Sequence, residues 1–220
     1  MKSVIGLDID EKEIRFAQLG KEKDEATLMS CNNEKLPRGI IRDGFIEDSE
    51  ALTVYLRECW RKNGLDPRSR VVLGVANKDI LIRVVNFEKP LSGNIEKIAN
   101  DQIQEQIPFE IHDMISDYAV LEETKIEEQT FVTCLLIGAK RETMSSFLNP
   151  LLKNKINLHD MQSSSLSLVR MNPYKDKVTM MVDLAYKIGN IVIIERGIPK
   201  FFKYVPNDLS KESPRVDELV

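Results

Sequence analysis

Residues 4–16 read V-I-G-L-D-I-D-E-K-E-I-R-F. The apolar run Val4–Leu7 stops at Asp8, a polar turn follows, and the chain turns apolar again over Ile14–Leu19. Two short apolar runs around a polar turn predict a β-hairpin. Asp8 sits where a nucleotide-binding hairpin would want a carboxylate, which raises the question whether the turn is built to hold a phosphate. The pattern returns once, as M-M-V-D-L-A at 180–185, where Asp183 ends a strand over Val178–Asp183 and a returning strand follows over Asn190–Glu195. Two related hairpins opening two halves of a chain are an α/β layout.

The stretch between the hairpins reads as alternating strands and helices. A third strand fits Ala26–Asn32, and Pro37-Arg38-Gly39 and Asp43-Gly44 carry turn chemistry. Asp48 or Ser49 can cap a helix whose apolar positions are Ala51, Leu52, Tyr55, Leu56, Cys59 and Trp60, with Gly64 as its stop. Val71–Ala76 is continuously apolar, the signature of a strand buried on both faces. Over 80–138 the order is strand, helix, strand, strand, the helix face being Ile95, Ile98, Ala99, Ile103 and Ile107 and its end Pro108. A helix follows with Met144, Phe147, Leu148, Leu151 and Leu152 on one face, and Pro150 predicts a kink or an early stop in it. Asp160–Met171 reads as a second helix, and Lys200–Val205 as a last short strand. The polar tail 207–220 reads as disordered.

Composition excludes several classes. The 220 residues are 42% hydrophobic and 30% charged, ordinary for a globular chain, and the net charge of −4 attracts neither nucleic acid nor an anionic membrane. Three scattered cysteines, Cys31, Cys59 and Cys134, argue against a disulfide framework, and two histidines without Cys/His spacing argue against zinc. No apolar run is long enough to cross a bilayer and no signal peptide is read, so a membrane role would run through a partner.

Specific strings narrow the reading. These are V-I-G-L-D-I at 4–9, L-P-R-G-I-I-R-D-G-F-I-E-D at 36–48, A-L-T-V-Y-L-R-E-C-W at 51–60, V-V-L-G-V-A at 71–76, Q-I-P-F-E-I at 106–111 with D-Y at 117–118, and V-D-L-A at 182–185. In this order they resemble the PilM family, the actin-like component of type IV pilus assembly, which is similar to the cell-division protein FtsA. The resemblance implies an actin-like (ribonuclease H-like) first half over 1–77 and 139–172, with an inserted strand-helix-strand-strand subdomain at 78–138. Of the second half the resemblance implies a remnant hairpin over 173–206, in a naturally short form or in a piece of a longer protein. It also implies a cytoplasmic chain, recruited to the inner face of the cell membrane by a PilN-type bitopic partner. That partner's short cytoplasmic tail would lie in a groove between the inserted subdomain and the first actin-like subdomain. Candidate lining segments are Leu36–Ile41 and Gln106–Ile111, with Leu36, Ile40, Ile107, Pro108 and Phe109 as the named residues; Ile107 and Phe109 read equally as core residues at a helix end.

The same resemblance implies a nucleotide site at Asp8, Asp10, Asp183 and Ala185, and the residues argue that it is lost. Asp10 stands where the family has Gly, Glu11, Lys12 and Glu13 stand where it favours serines, and Arg15 replaces its usual Lys. After Asp183, Leu184-Ala185 stands in place of a Gly, and Tyr186 and Ile188 are bulky for a phosphate cradle. Each like charge at ~4 Å costs ~1 kcal/mol in water and ~4 kcal/mol at a protein surface. The expectation is therefore a scaffold without ATP or magnesium and without enzymatic activity, with self-association as a further way to cover the short second half. A MgATP-dependent switch is the alternative. An Asp-nucleophile phosphatase of the D-x-D-x-T type is a remote one, since Lys12 stands in place of the Thr and a returning strand follows.

Overall fold

The computed structural model describes residues 3–22, 25–90, 94–184 and 188–206. Ala185 and the tail 207–220 lie outside the described residues. In chain order the elements begin with β1 (Val4–Ile9), β2 (Glu13–Glu22), β3 (Glu25–Lys35), β4 (Ile41–Arg42), β5 (Phe45–Ile46), α1 (Ser49–Lys62) and β6 (Arg70–Val75). Next come β7 (Ile80–Glu88), α2 (Ile95–Gln106), β8 (Met114–Ile126), β9 (Gln129–Lys140) and α3 (Arg141–Lys153). The last are β10 (Leu158–Ser163), α4 (Ser164–Met171), β11 (Val178–Leu184), β12 (Ile188–Glu195) and β13 (Ile198–Pro206).

The first sheet has the order β10-β6-β1-β2-β3, with β1 antiparallel to β2 and parallel to β6. One face of β1 presents Ile5, Leu7 and Ile9, and one face of β6 presents Val71, Leu73 and Val75, all buried. They share a core with Leu52, Leu56 and Trp60 of α1 and Phe147 and Leu151 of α3. Asp48 caps α1 by accepting from the Ala51 N–H at 2.9 Å. The other face of β6, at Val72 and Gly74, is only half-buried, because it looks into a cleft. The expectation of a strand buried on both faces is corrected there.

Two further expectations change. The stretch 160–171 is not one helix: Leu158–Ser163 forms β10, parallel to β6, and the helix begins only at Ser164. The outer edge of β6 offers unpaired backbone groups, and satisfying them outweighs local preference. In α3 Pro150 does not end the helix at once; three more residues stay helical before Asn154.

Residues 80–140 form a second sheet, β7-β9-β8, antiparallel throughout, with α2 against it. Its core joins Ala99, Ile103, Ile107, Met114, Cys134 and Leu136. Gly138 is required there: a Cβ would stand 2.7 Å from Ile107 Cδ1. The two crossings into this unit are stapled together. Asp79 is buried, accepts from Thr143 Oγ1 at 3.0 Å, and receives the Lys140 N–H on its carbonyl at 3.1 Å. Asn77 accepts from the Asp79 N–H at 2.8 Å and donates to the Gly44 carbonyl.

The third sheet is β11-β12-β13, antiparallel. Val192 and Ile194 are fully buried, and α4 packs against all three strands. Among the described residues, no helix is long and apolar enough to cross a membrane.

Candidate functional site

A cleft of about 1070 Å³ separates the first sheet from α4 and β11. Asp8, Asp10 and Arg15 line it from the first hairpin, Gly74 from β6, Ser164, Ser167 and Met171 from α4, and Asp183 and Leu184 from β11. Gly74 permits the close approach, since a Cβ would lie 3.1 Å from Ser164 Oγ and 3.8 Å from Asp8 Oδ1. The two strand-ending aspartates thus line one cleft.

The turn between β1 and β2 is closed on itself. Asp10 Oδ1 accepts from the backbone N–H of Lys12 at 2.7 Å and of Glu13 at 2.9 Å. The Asp10 N–H donates to the Glu13 carbonyl at 3.0 Å. These are the amides a phosphate cradle would aim at its ligand. Arg15 fills the remaining space. It sits opposite Asp8 in the strand register and donates to Asp8 Oδ2 through Nε at 2.9 Å and through Nη2. Nη2 also lies 2.8 Å from Asp10 Oδ2, and Nη1 donates to Glu13 Oε1 at 2.7 Å. Asn33 donates to the other Glu13 oxygen at 2.8 Å. One guanidinium is shared by three carboxylates.

Electrostatics follow from that packing. Burial pushes the Asp8 carboxyl above its ordinary range, Arg15 pulls it down by less, and Asp10 and Asp183 push it further up. Burial works against the Arg15 charge, but Asp8 and Asp10 outweigh it and hold the guanidinium protonated. A magnesium phosphate would have to displace Arg15 from Asp8 and strip the Asp10 side chain from two amides. The residues present therefore do not fit that group. Elsewhere, burial raises the Cys59 thiol to about 11 and raises Cys134, so neither supplies a thiolate nucleophile.

The predicted groove residues separate. Leu36 and Ile40 belong to the core of the first sheet and Ile107 to the core of the second unit. All three are buried, so their side chains hold the fold and offer a ligand no surface. Only Pro108, exposed, and Phe109, half-buried with Lys140 Nζ 5.6 Å from its ring centre, present side-chain surface. The cleft serines are the converse. S-S-S at 163–165 reads as a polar helix start, and α4 does begin there; in addition Ser163 pairs with Ser165 at 2.8 Å, and Ser164 Oγ lies at the cleft, buried without a hydrogen-bond partner. Nothing local in the sequence signals this, because β10 must first pair with β6.

The model for the type IV pilus assembly protein PilM matches residues 6–202. No curated protein matches the chain. Among solved structures, a PilM–PilN type IV pilus biogenesis complex superposes with a TM-score of 0.77 at 17% identity, over 93% of this chain and 62% of that one. The cytoplasmic domain of EpsL, an inner membrane component of the Vibrio cholerae type II secretion system, gives 0.56 at 12% identity, over 93% and 71%. A Bacteroides thetaiotaomicron protein with an actin-like ATPase fold and unknown function gives 0.54 at 14%, over 94% and 71%. The chain thus spans less than two thirds of the chain it resembles in the pilus complex. The fold is actin-like, and the chain belongs to the PilM family of type IV pilus assembly proteins.

Proposed function

We propose that the chain is a cytoplasmic scaffold in a type IV pilus, competence or secretion-like assembly machine, one that holds a membrane partner without hydrolysing ATP. The observation that carries this reading is Arg15, seated between Asp8, Asp10 and Glu13 where a nucleotide-driven relative would need room for a metal and phosphates. An internal cation there makes the cleft a fixed joint. The partner is a PilN-type bitopic protein, a choice the PilM–PilN complex among the solved structures supports, and the part of it held is its short cytoplasmic tail. It lies as an extended segment beside the junction between the first sheet and residues 80–140. Backbone hydrogen bonds and a few apolar anchors, Phe109 and Pro108 among them, hold it.

The test is fluorescence anisotropy with a synthetic peptide of that partner's cytoplasmic tail. The expected result is saturable binding on the order of micromolar, the same with and without MgATP. A tail affinity that changes tenfold with MgATP would favour the switch reading, since a ligand shifts a state only by binding its forms differently.

A further inference from the structure

A second cavity, of about 50 Å³, lies where β7, the start of α4 and the third sheet meet. Asn77, Arg83, Ser163, Ser165, Asn190 and Lys203 supply polar groups to its walls, and none of its lining residues is acidic. The large cleft is the opposite, with Asp8, Asp10, Glu11 and Asp183 along it.

The groups that converge here are donors. Asn190 is 7% exposed, and its Nδ2 has no hydrogen-bond partner. It shares the inner face of β12 with Val192 and Ile194, both fully buried, so its cover comes from the α4 side of the sheet. A buried amide left unpaired is costly, and native structures match such groups with a partner. Asn77, the other buried amide, is committed to the Asp79 N–H and the Gly44 carbonyl. The Ser163 and Ser165 hydroxyls are buried and 2.8 Å apart. One donates to the other, which leaves one hydroxyl proton free. Ser163 is also the cap residue of α4, yet its side chain bonds none of the first-turn amides. Those amides carry the positive end of the helix. Arg83 and Lys203 add two cations.

We propose that this cavity binds one compact monovalent anion, of the size of chloride, between Asn190 Nδ2, the free serine hydroxyl and the N-terminus of α4. The volume suits a single small ion, whereas pockets for cofactors and drug-sized ligands run from ~300 Å³ upward. A water molecule gains little from the helix end and the two cations, and an anion gains from both. The ion ties β12 to α4 at the point where β7 passes.

Thermal unfolding of the full chain at fixed ionic strength, with chloride replacing the bulky gluconate anion, tests this. The wild-type melting temperature is expected to rise saturably, by about 3–6 °C once chloride stands tenfold above its dissociation constant. Asn190→Ala and Ser165→Ala each remove a donor and are expected to lose most of that rise, whatever their own melting temperatures. Crystals grown in bromide give a direct readout, an anomalous peak within hydrogen-bonding reach of Asn190 Nδ2. A wild type indifferent to chloride overturns the proposal. A rise that both variants keep overturns it too, since the ion then binds elsewhere. Density for water at Asn190 without an anomalous peak does the same.

Discussion

The two Asp-ended hairpins are the same device in two states. Aligned on Asp8 and Asp183, Ile5 stands where Met180 stands, Leu7 where Val182 does, and Ile9 where Leu184 does. The first three are 0, 2 and 6% exposed; the second three are 66, 48 and 54%. The sequences differ little in hydrophobicity. What differs is the surroundings: β1 has β6 along its second edge and α1 and α3 in its core, whereas among the described residues β11 pairs only with β12 and has α4 packed against it. Burial belongs to the assembly of elements and cannot be read from one strand. The cross-strand partners differ as well. Asp8 faces Arg15, which neutralises it, whereas Asp183 faces Asn190, buried with Nδ2 unpaired.

Substitutions at matched positions break the comparison open. Ile5→Ala removes fully buried methyl groups and is expected to cost about 2–5 kcal/mol in urea unfolding, while Met180→Ala in dilute protein stays within about 0.5 kcal/mol. Equal losses would mean that the outward face of β11 is covered after all. The joint between the first sheet and residues 80–140 comes next. Thr143→Val leaves buried Asp79 without a hydroxyl donor, and its expected cost is about 1–3 kcal/mol by the same measurement.

Smaller effects sharpen the contrast between Arg15 and Asn190. Arg15→Gln leaves Asp8, Asp10 and Glu13 facing each other. Its melting temperature should fall below wild type at pH 7, and the gap should narrow as pH falls and Asp8, whose carboxyl burial raises, takes up its proton. Asp8→Asn tests the buried charge itself. The folded-state affinity of Asp8 for its proton is raised above the unfolded value, mainly by burial. The ionised form therefore disfavours folding, and stability falls as pH rises from the ordinary carboxylate range through the raised one. Asp8→Asn should melt no lower than wild type at pH 7, and any advantage should vanish below that window. A clear loss at pH 7 would mean that the ion pair with Arg15 outweighs desolvation.

Much of this was legible in the residues. The period-2 pattern and the echo of Asp8 in Asp183 identify both hairpins, whereas the self-bonded turn at Asp10 emerges only from the structure. The agents of closure were only half visible. Arg15 reads as a mild change from Lys, but its fork reaches three carboxylates, a matter of geometry rather than type. Leu36, Ile40 and Ile107 were chosen as groove residues from conspicuous strings, and such strings mark tight packing as readily as ligand contact: Ile107 seats on Gly138. β10 was hidden because L-H-D-M-Q-S has little strand character until the edge of β6 is beside it.

The central claim is that Arg15 and the self-bonded turn leave the cleft no place for a nucleotide. Isothermal titration of the purified chain with millimolar MgATP, alongside Asp8→Asn, tests it most directly. The account predicts no saturable heat from either protein. Saturable heat from the wild type that disappears in Asp8→Asn would contradict it, and would make the chain a nucleotide-dependent switch.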